Sequence, residues 1–190
     1  MPRFILLLRG VNVSGANIVK MDGLRAFLCG LGFEKVETYI QSGNAVFSAK
    51  LALEDAHSAI ATAFPVRFGI APQMMLMTVA ELAAAIAANP FLDPGIDPAR
   101  LHVGFMAHEP GGEAHLTLAG RQRANEDYQI AGRVFYLFTP DGIGKSRFAG
   151  VIEKTLKVAV TFRNWRTVLA LGDLSQSKIE QSQSGSHLFG

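Results

Sequence analysis

One cysteine among 190 residues, Cys29, leaves no partner for an internal disulfide. That excludes the small stapled scaffolds of secreted proteins and fits a reducing compartment, so the expected location is the cytoplasm. Long apolar runs are missing too. The N-terminal FILLL is interrupted by Arg9 with no small-residue cleavage site after it, and no stretch reaches the roughly 18 residues of a membrane span. Neither sign of charge is in large excess. Eighteen Lys and Arg against 16 Asp and Glu give +2, which counts against a dedicated nucleic-acid binder and makes any basic surface a matter of local clustering.

Catalytic and metal-binding signatures are equally scarce. The sequence has no H-x-H, H-E-x-x-H, C-x-x-C or G-x-S-x-G. His102 and His108 fall on one face of a strand but roughly 20 Å apart, too far to share a metal. Ser42 and Ser146 have no histidine at a catalytic spacing, and nothing in the sequence activates Cys29. No metal or cofactor is expected.

What is present is an ordinary globular balance, 49% hydrophobic and 18% charged. FILLLR (4–9) reads as a buried strand followed by a long loop. Asp22 is expected to cap a helix carrying Leu24, Phe27, Leu28 and Leu31, which Gly32 ends with Phe33 packed back. VETYIQ and AVFS form two strands around Ser-Gly-Asn, a helix covers about 53–64, and strand material covers about 66–70 and 74–77. Thr78-x-x-Glu81 opens an Ala-rich helix with a capping box, and Asn89-Pro90 stops it. FLDPGIDPAR then reads as a boundary. The plan repeats after it: strand LHVGFMA, helix EAHLTLAGRQR, strands DYQI and RVFYLF around Ala131-Gly132, helix 147–157, strand KVAVTF, and a final helix NWRTVLALGDL. YIQSGNAVF and YQIAGRVFY share Tyr and Gly at equal spacing, and with the matching order they point to internal duplication. The expected fold is α+β: two ferredoxin-like βαββαβ halves, 1–89 and 90–175, plus the C-terminal helix and a polar, disordered tail at 176–190.

That topology assigns motifs to sheet ends. In the first half, the loop after the first strand and the following hairpin share one end, gathering Arg9, Asn12, Ser14, Asn17, Lys20, Gln41, Ser42 and Asn44. Hydrogen-bonding groups with few carboxylates suit an anionic or polyhydroxylated ligand, although Gly10, Gly15, Gly43 and Asn44 equally suit tight turns. Arg9 has Asp22 and Glu37 as alternative partners. In the second half, TPDGIGKSRFAG follows a strand. The strict phosphate-loop pattern requires Gly five residues before the Gly-Lys pair; here that residue is Thr139, so the motif fails. A weaker feature survives, in which the N–H groups of Gly144, Lys145 and Ser146 converge on an anion, with Arg147 adding charge. The competing arrangement has Ser146 capping the helix and Asp141 filling the nest. TFRNW is expected about 10 Å away, two strand spacings, adding Arg163, Asn164 and Trp165. Asn164 is equally an N-cap, and Trp165 is either core or a stacking platform for a base.

LLRGVNVSGANIVKMDGLRAFLCGLGFEKVETYIQSGNAVF, DGIGKSRF and TFRNWRTVLAL resemble a bacterial family of uncharacterised proteins, the domain-of-unknown-function family numbered sixteen-ninety-seven. The resemblance runs over about 170 residues. It departs in the first loop, where VSGANIVK stands in place of Gly-Gly and a Pro before Met21. It implies a pair of ferredoxin-like halves and brings no reaction, cofactor or catalytic residue. The functional expectation is therefore binding of a small phosphorylated or otherwise anionic ligand at the loop ends. The alternatives are a transferase or hydrolase acting on such a ligand, a single-stranded nucleic-acid binder, or a protein-interaction module. No membrane partner is expected.

Overall fold

A computed structural model of the chain describes residues 1–176, apart from the side chains of residues 114 and 115. Apart from residue 176, the tail expected at 176–190 lies outside the described residues. The fold is mixed α and β, with two four-stranded antiparallel sheets and a C-terminal helix. By compactness the chain divides into Met1–Ala84 with the segment from Leu169 onward, and Ala85–Val168.

The first unit runs β1 (Arg3–Leu8), α1 (Met21–Gly30), β2 (Glu34–Tyr39), β3 (Asn44–Ser48), α2 (Leu53–Phe68) and β4 (Met74–Thr78). Its sheet has the order β2-β3-β1-β4. On one face, Phe4, Leu6 and Leu8 of β1 pack with Leu24, Phe27 and Leu28 of α1 and Ile60 and Phe64 of α2. Ile5 and Leu7, on the other face, are buried as well. A strand buried on both faces reads as a continuous apolar run, which is why FILLL does not alternate. Gly32 and Phe33 close α1 as the sequence indicates: Gly32 N–H donates to Cys29 O at 2.9 Å and Phe33 N–H to Leu28 O at 3.2 Å, with Phe33 buried.

The α3 helix (Val79–Ala87) opens on the expected capping box. Thr78 N–H donates to Glu81 Oε2 at 2.8 Å, and Glu81 N–H donates to Thr78 Oγ1 at 3.1 Å. The second sheet comes from β5 (Leu101–Met106), β6 (Asp127–Ala131), β7 (Val134–Phe138) and β8 (Val160–Asn164), in the order β6-β7-β5-β8. The helices α4 (Gly112–Leu118) and α5 (Ile152–Leu156) accompany it, and α6 (Trp165–Gln176) follows β8. Met106, Phe135, Leu137, Phe148, Ile152 and Val160 form the core on the helix side.

Several local expectations change. Asp22 is not the cap of α1: Lys20 takes that position without a side-chain bond, and Asp22 pairs with Arg25 at 2.9 Å in the first turn. Residues 66–68, expected as strand, continue α2 through Pro65, because the Phe68 ring packs on Phe64 and Phe27 at centroid distances of 4.5 and 5.4 Å. The helix expected at 147–157 is a 3-10 turn, Ala149–Val151, running into the short α5, and a separate 3-10 turn, Ile143–Lys145, precedes it. Left-handed Lys157 ends it and delays β8 to Val160. The two hairpins also differ. Tyr39 pairs with Asn44 across a four-residue connection, whereas Ala131 pairs with Val134 across two residues, so Tyr39 and Tyr128 do not occupy equivalent pairing positions.

Candidate functional site

At one end of the first sheet, the loop after β1 does meet the β2–β3 hairpin. Asn12 joins them: its Nδ2 donates to Val19 O at 2.8 Å and to Gln41 O at 2.7 Å, while its Oδ1 accepts from Val19 N–H at 2.8 Å. Asn17 Nδ2 donates to Gly10 O at 2.9 Å. Asn12, Ser14 and Asn17 all have left-handed backbones, φ 55°, 49° and 51°. Short polar side chains tolerate that conformation, and those of Asn12 and Asn17 fix it by their bonds to the backbone. Asn44 is fully buried, donating to Tyr39 O at 3.1 Å and Ser42 Oγ at 2.8 Å. Arg9 donates to Gln73 Oε1 at 2.8 Å, while Asp22 pairs with Arg25 and Glu37 with Arg3. Gln41 and Lys20 are exposed. Asn12, Asn17 and Asn44 thus hold the loop and hairpin in shape, and the groups left facing outward are few.

Gly43 shows how tightly that end is built. Its φ is +72°, and a Cβ there would lie 2.6 Å from Val11 Cγ2 and 2.8 Å from Leu8 Cβ. Only glycine fits.

At the opposite end of the second sheet, where β5 begins, the chain after β7 and at the end of β8 clasps one segment, the 3-10 turn Pro98–Arg100 that leads into β5. Thr139 N–H donates to Arg100 O at 3.0 Å, and Asn164 Nδ2 donates to Ala99 O at 3.0 Å and Leu101 O at 3.2 Å. Asn164 Oδ1 accepts from Arg166 N–H at 3.0 Å, so the same side chain caps α6. Trp165 is buried at 4% exposure and is core rather than a stacking platform. Arg163 alternates with Phe162, which packs on the helix-side core, so its side chain leaves the sheet by the opposite face. There it donates to Phe162 O at 2.9 Å, and burial lowers its pKa to about 10.

The glycine loop itself is not an open nest. Lys145 N–H donates to Gly142 O at 3.0 Å and Ser146 N–H to Ile143 O at 3.1 Å, so the 3-10 turn uses two of the three expected donors internally. Ser146 is buried and its Oγ accepts from Ala149 N–H at 3.0 Å. Asp141 does not fill the nest. It faces Asn125 Nδ2 at 3.3 Å and Arg123 Nη1 at 3.7 Å.

What gathers here is side-chain charge. Arg100 lies against Gly142, whose absent Cβ would stand 3.2 Å from Arg100 Nη1. Asp97 accepts from Arg166 at 3.2 Å and faces Arg100 Nε at 3.9 Å. Gly144, Lys145 and Arg147 are exposed on the same loop. Arg100, Arg123, Arg166 and Asp97 carry no signal in the sequence, because their convergence depends on two loops and a 3-10 turn distant along the chain; Asp141 is expected in this loop, but as the group filling the nest. His102, one residue into β5, is a further member: burial lowers its pKa to about 4, opposed in part by a hydrogen bond to the Arg100 backbone.

Among the described residues no group of three or more His, Cys, Asp or Glu could hold a metal ion, and no helix is long and apolar enough to cross a membrane. No curated protein matches the chain. A solved structure, that of the conserved bacterial protein SP0830 from Streptococcus pneumoniae, is similar over 92% of this chain and 98% of its own, with 26% identity and a TM-score of 0.71. The model of a family described as "Protein of unknown function (DUF1697)" matches residues 1–136, ending within β7 just short of the DGIGKSR loop. Nearly three quarters of the sequence, including the loop after β1 and both hairpins, falls inside that match, and the chain belongs to the DUF1697 family.

Proposed function

We propose that the protein binds a small phosphorylated or otherwise anionic molecule at the end of the second sheet formed by the Pro98–Arg100 turn and the loop from Thr139 to Arg147. The observation that carries this reading is the excess of cations over carboxylates there. Arg100, Arg123, Arg166, Lys145 and Arg147 stand against Asp97, Glu126, Asp127 and Asp141, on segments tied to one another by hydrogen bonds and ion pairs, and Glu126 is buried on the Arg123 N–H. Clustered guanidinium groups recognise phosphate oxygens in pairs, and a rigid surround lowers the ordering cost of binding. The first-unit end supports a ligand less well, since its asparagines already serve the loop. We read the two units as ferredoxin-like halves of an internally duplicated protein in a reducing compartment; their identical strand orders support the first part and the lone cysteine the second.

The nucleic-acid reading draws little support from the sheet aromatics. Phe47, Phe135 and Tyr136 are buried, and Tyr128 stacks on Phe135 at 5.4 Å, so none of them offers an open platform for bases. Titration calorimetry with inorganic phosphate, sugar phosphates and nucleotides tests the proposal. Replacing both Lys145 and Arg147 by Ala should weaken the best ligand about tenfold or more, each lost charge-assisted bond being worth roughly 1.5–3 kcal/mol. Affinity untouched by the double replacement would refute the site.

A further inference from the structure

We propose that the outer edge of β6 is a docking surface for a second copy of this chain. The two β6 strands pair antiparallel across a two-fold axis at Gln129, joining the second sheets of two molecules into one. Each sheet has two end strands, and three of the four are protected against such pairing. β2 is bulged between Glu34 and Glu37, around left-handed Lys35. β4 has Leu76 and Met77 buried at its centre, and β8 begins with buried Val160 and Thr161. β6 lacks these devices. It pairs with β7 without irregularity over all five residues, contains no Pro or Lys, and alternates between exposed and half-buried.

The direction of its backbone groups follows from the hairpin. Ala131 and Val134 close a two-residue turn, so bonds to β7 recur at every second residue back along the strand, at Gln129 and Asp127. Tyr128 and Ile130 therefore turn their N–H and C=O groups outward. Tyr128 N–H fits this phase, since it donates to Asp127 Oδ1 at 2.8 Å, a carboxylate of its own strand. Nothing else among the described residues pairs with that edge.

A second copy is the occupant because the strand is complementary to itself. Keeping the helix sides of both sheets on one face requires the numbers of facing residues to add to an even sum. Centred on Gln129, the pairing sets Tyr128 against Ile130 of the second copy and Asp127 against its Ala131. The outward-facing residues then exchange N–H···O bonds in pairs and place an aromatic ring beside a β-branched side chain, a favoured combination. The two Asp127 carboxylates stand roughly 14 Å apart, beyond the physiological screening length of about 8 Å. Each falls beside the turn that carries the other copy's Arg133. Centring on Tyr128 would bring the two acids within diagonal reach, and centring on Ile130 would run Tyr128 off the strand against Gly132. Only the Gln129 register uses the whole strand without repulsion. Five-residue strands make a small interface, so the association is weak and depends on concentration.

Sedimentation velocity of the full chain, from micromolar to millimolar concentration, tests the proposal and should show a monomer–dimer equilibrium. Gln129→Lys puts two ammonium groups on the axis and should raise the dissociation constant by about tenfold or more. Gln129→Cys in a Cys29→Ser background should form a disulfide-linked dimer under mild oxidation, because Cα atoms facing across an unbonded pair lie about 4.5 Å apart. Asp127→Cys in the same background should not, its thiols being too far apart. A wild-type protein that stays monomeric at millimolar concentration overturns the proposal and leaves the edge to an extended peptide of another protein. A dimer that Gln129→Lys leaves intact overturns it as well. The wild-type measurement stands by itself, so a variant that fails to fold does not obscure the result.

Discussion

Asn164 offers a sharp test of how the second-unit end is held together. Its Oδ1 caps α6 through Arg166 N–H, and its amide nitrogen reaches the carbonyls of Ala99 and Leu101 at 3.0 and 3.2 Å. Removing the cap alone costs about 1 kcal/mol. The two amide bonds add about 1 kcal/mol each, so Asn164→Ala should lose about 2–3 kcal/mol in total. Asn164→Asp separates the contributions, because Asp caps as well as Asn. If capping were all that mattered, the Asp variant would match wild type. Instead its oxygen would face carbonyls with no proton to give, so the loss should be about 2 kcal/mol or more. Urea unfolding followed by the fluorescence of Trp165, the sole tryptophan and the next residue, reports the change at the place it occurs. An Asp variant within about 0.5 kcal/mol of wild type would show that the clasp on the 3-10 turn contributes nothing.

Three further outcomes follow from the same structure. The His102 pKa is lower folded, at about 4, than in the unfolded chain, so between pH 6.5 and 4 the unfolded chain binds the extra proton. Stability should therefore be level above that window and fall as pH drops through it, by about 2 kcal/mol after allowance for partial exposure, and His102→Gln should remove this component from the pH profile of chemical denaturation. Gly43→Ala combines a left-handed backbone with a Cβ 2.6 Å from Val11 Cγ2 and should cost about 2–4 kcal/mol in the same assay. Ile40 is a β-branched residue at φ +45° and half exposed, so Ile40→Gly should raise stability by about 0.5–1 kcal/mol, and a loss instead would mean that its side chain makes a contact worth more than the strain.

Patterns with a local cause were legible in the sequence. The capping box at Thr78 and Glu81 and the Gly32–Phe33 stop each depend on residues a few positions apart, and both are present. The order of strands followed from the succession of elements. Misreadings arose where tertiary packing overrode local preference. VRFGI has the β-branched and aromatic content of a strand, but Phe68 gains more by stacking on Phe64 and Phe27, and α2 runs on through Pro65. In the GKSRFAG stretch, Ser146 binds Ala149 N–H and the chain turns as 3-10 instead of nucleating a full helix. The site was half legible for the same reason. Lys145 and Arg147 sit in a recognisable glycine loop, whereas Arg100, Arg123 and His102 join it through hydrogen bonds and strand register that no short motif encodes.

The division of the chain has a consequence for biosynthesis. The first compact unit is made of Met1–Ala84 and of residues from Leu169 onward, with the whole second unit spelled out between them. A ribosome therefore delivers every strand of the first sheet long before it delivers the returning segment, and the nascent N-terminal portion must wait, incompletely buried, while Ala85–Val168 emerges and folds. The second unit, continuous in sequence, can be complete first although it is translated later. Shortening the gene from its 3′ end should accordingly harm the N-terminal sheet before it harms the one encoded beside the cut.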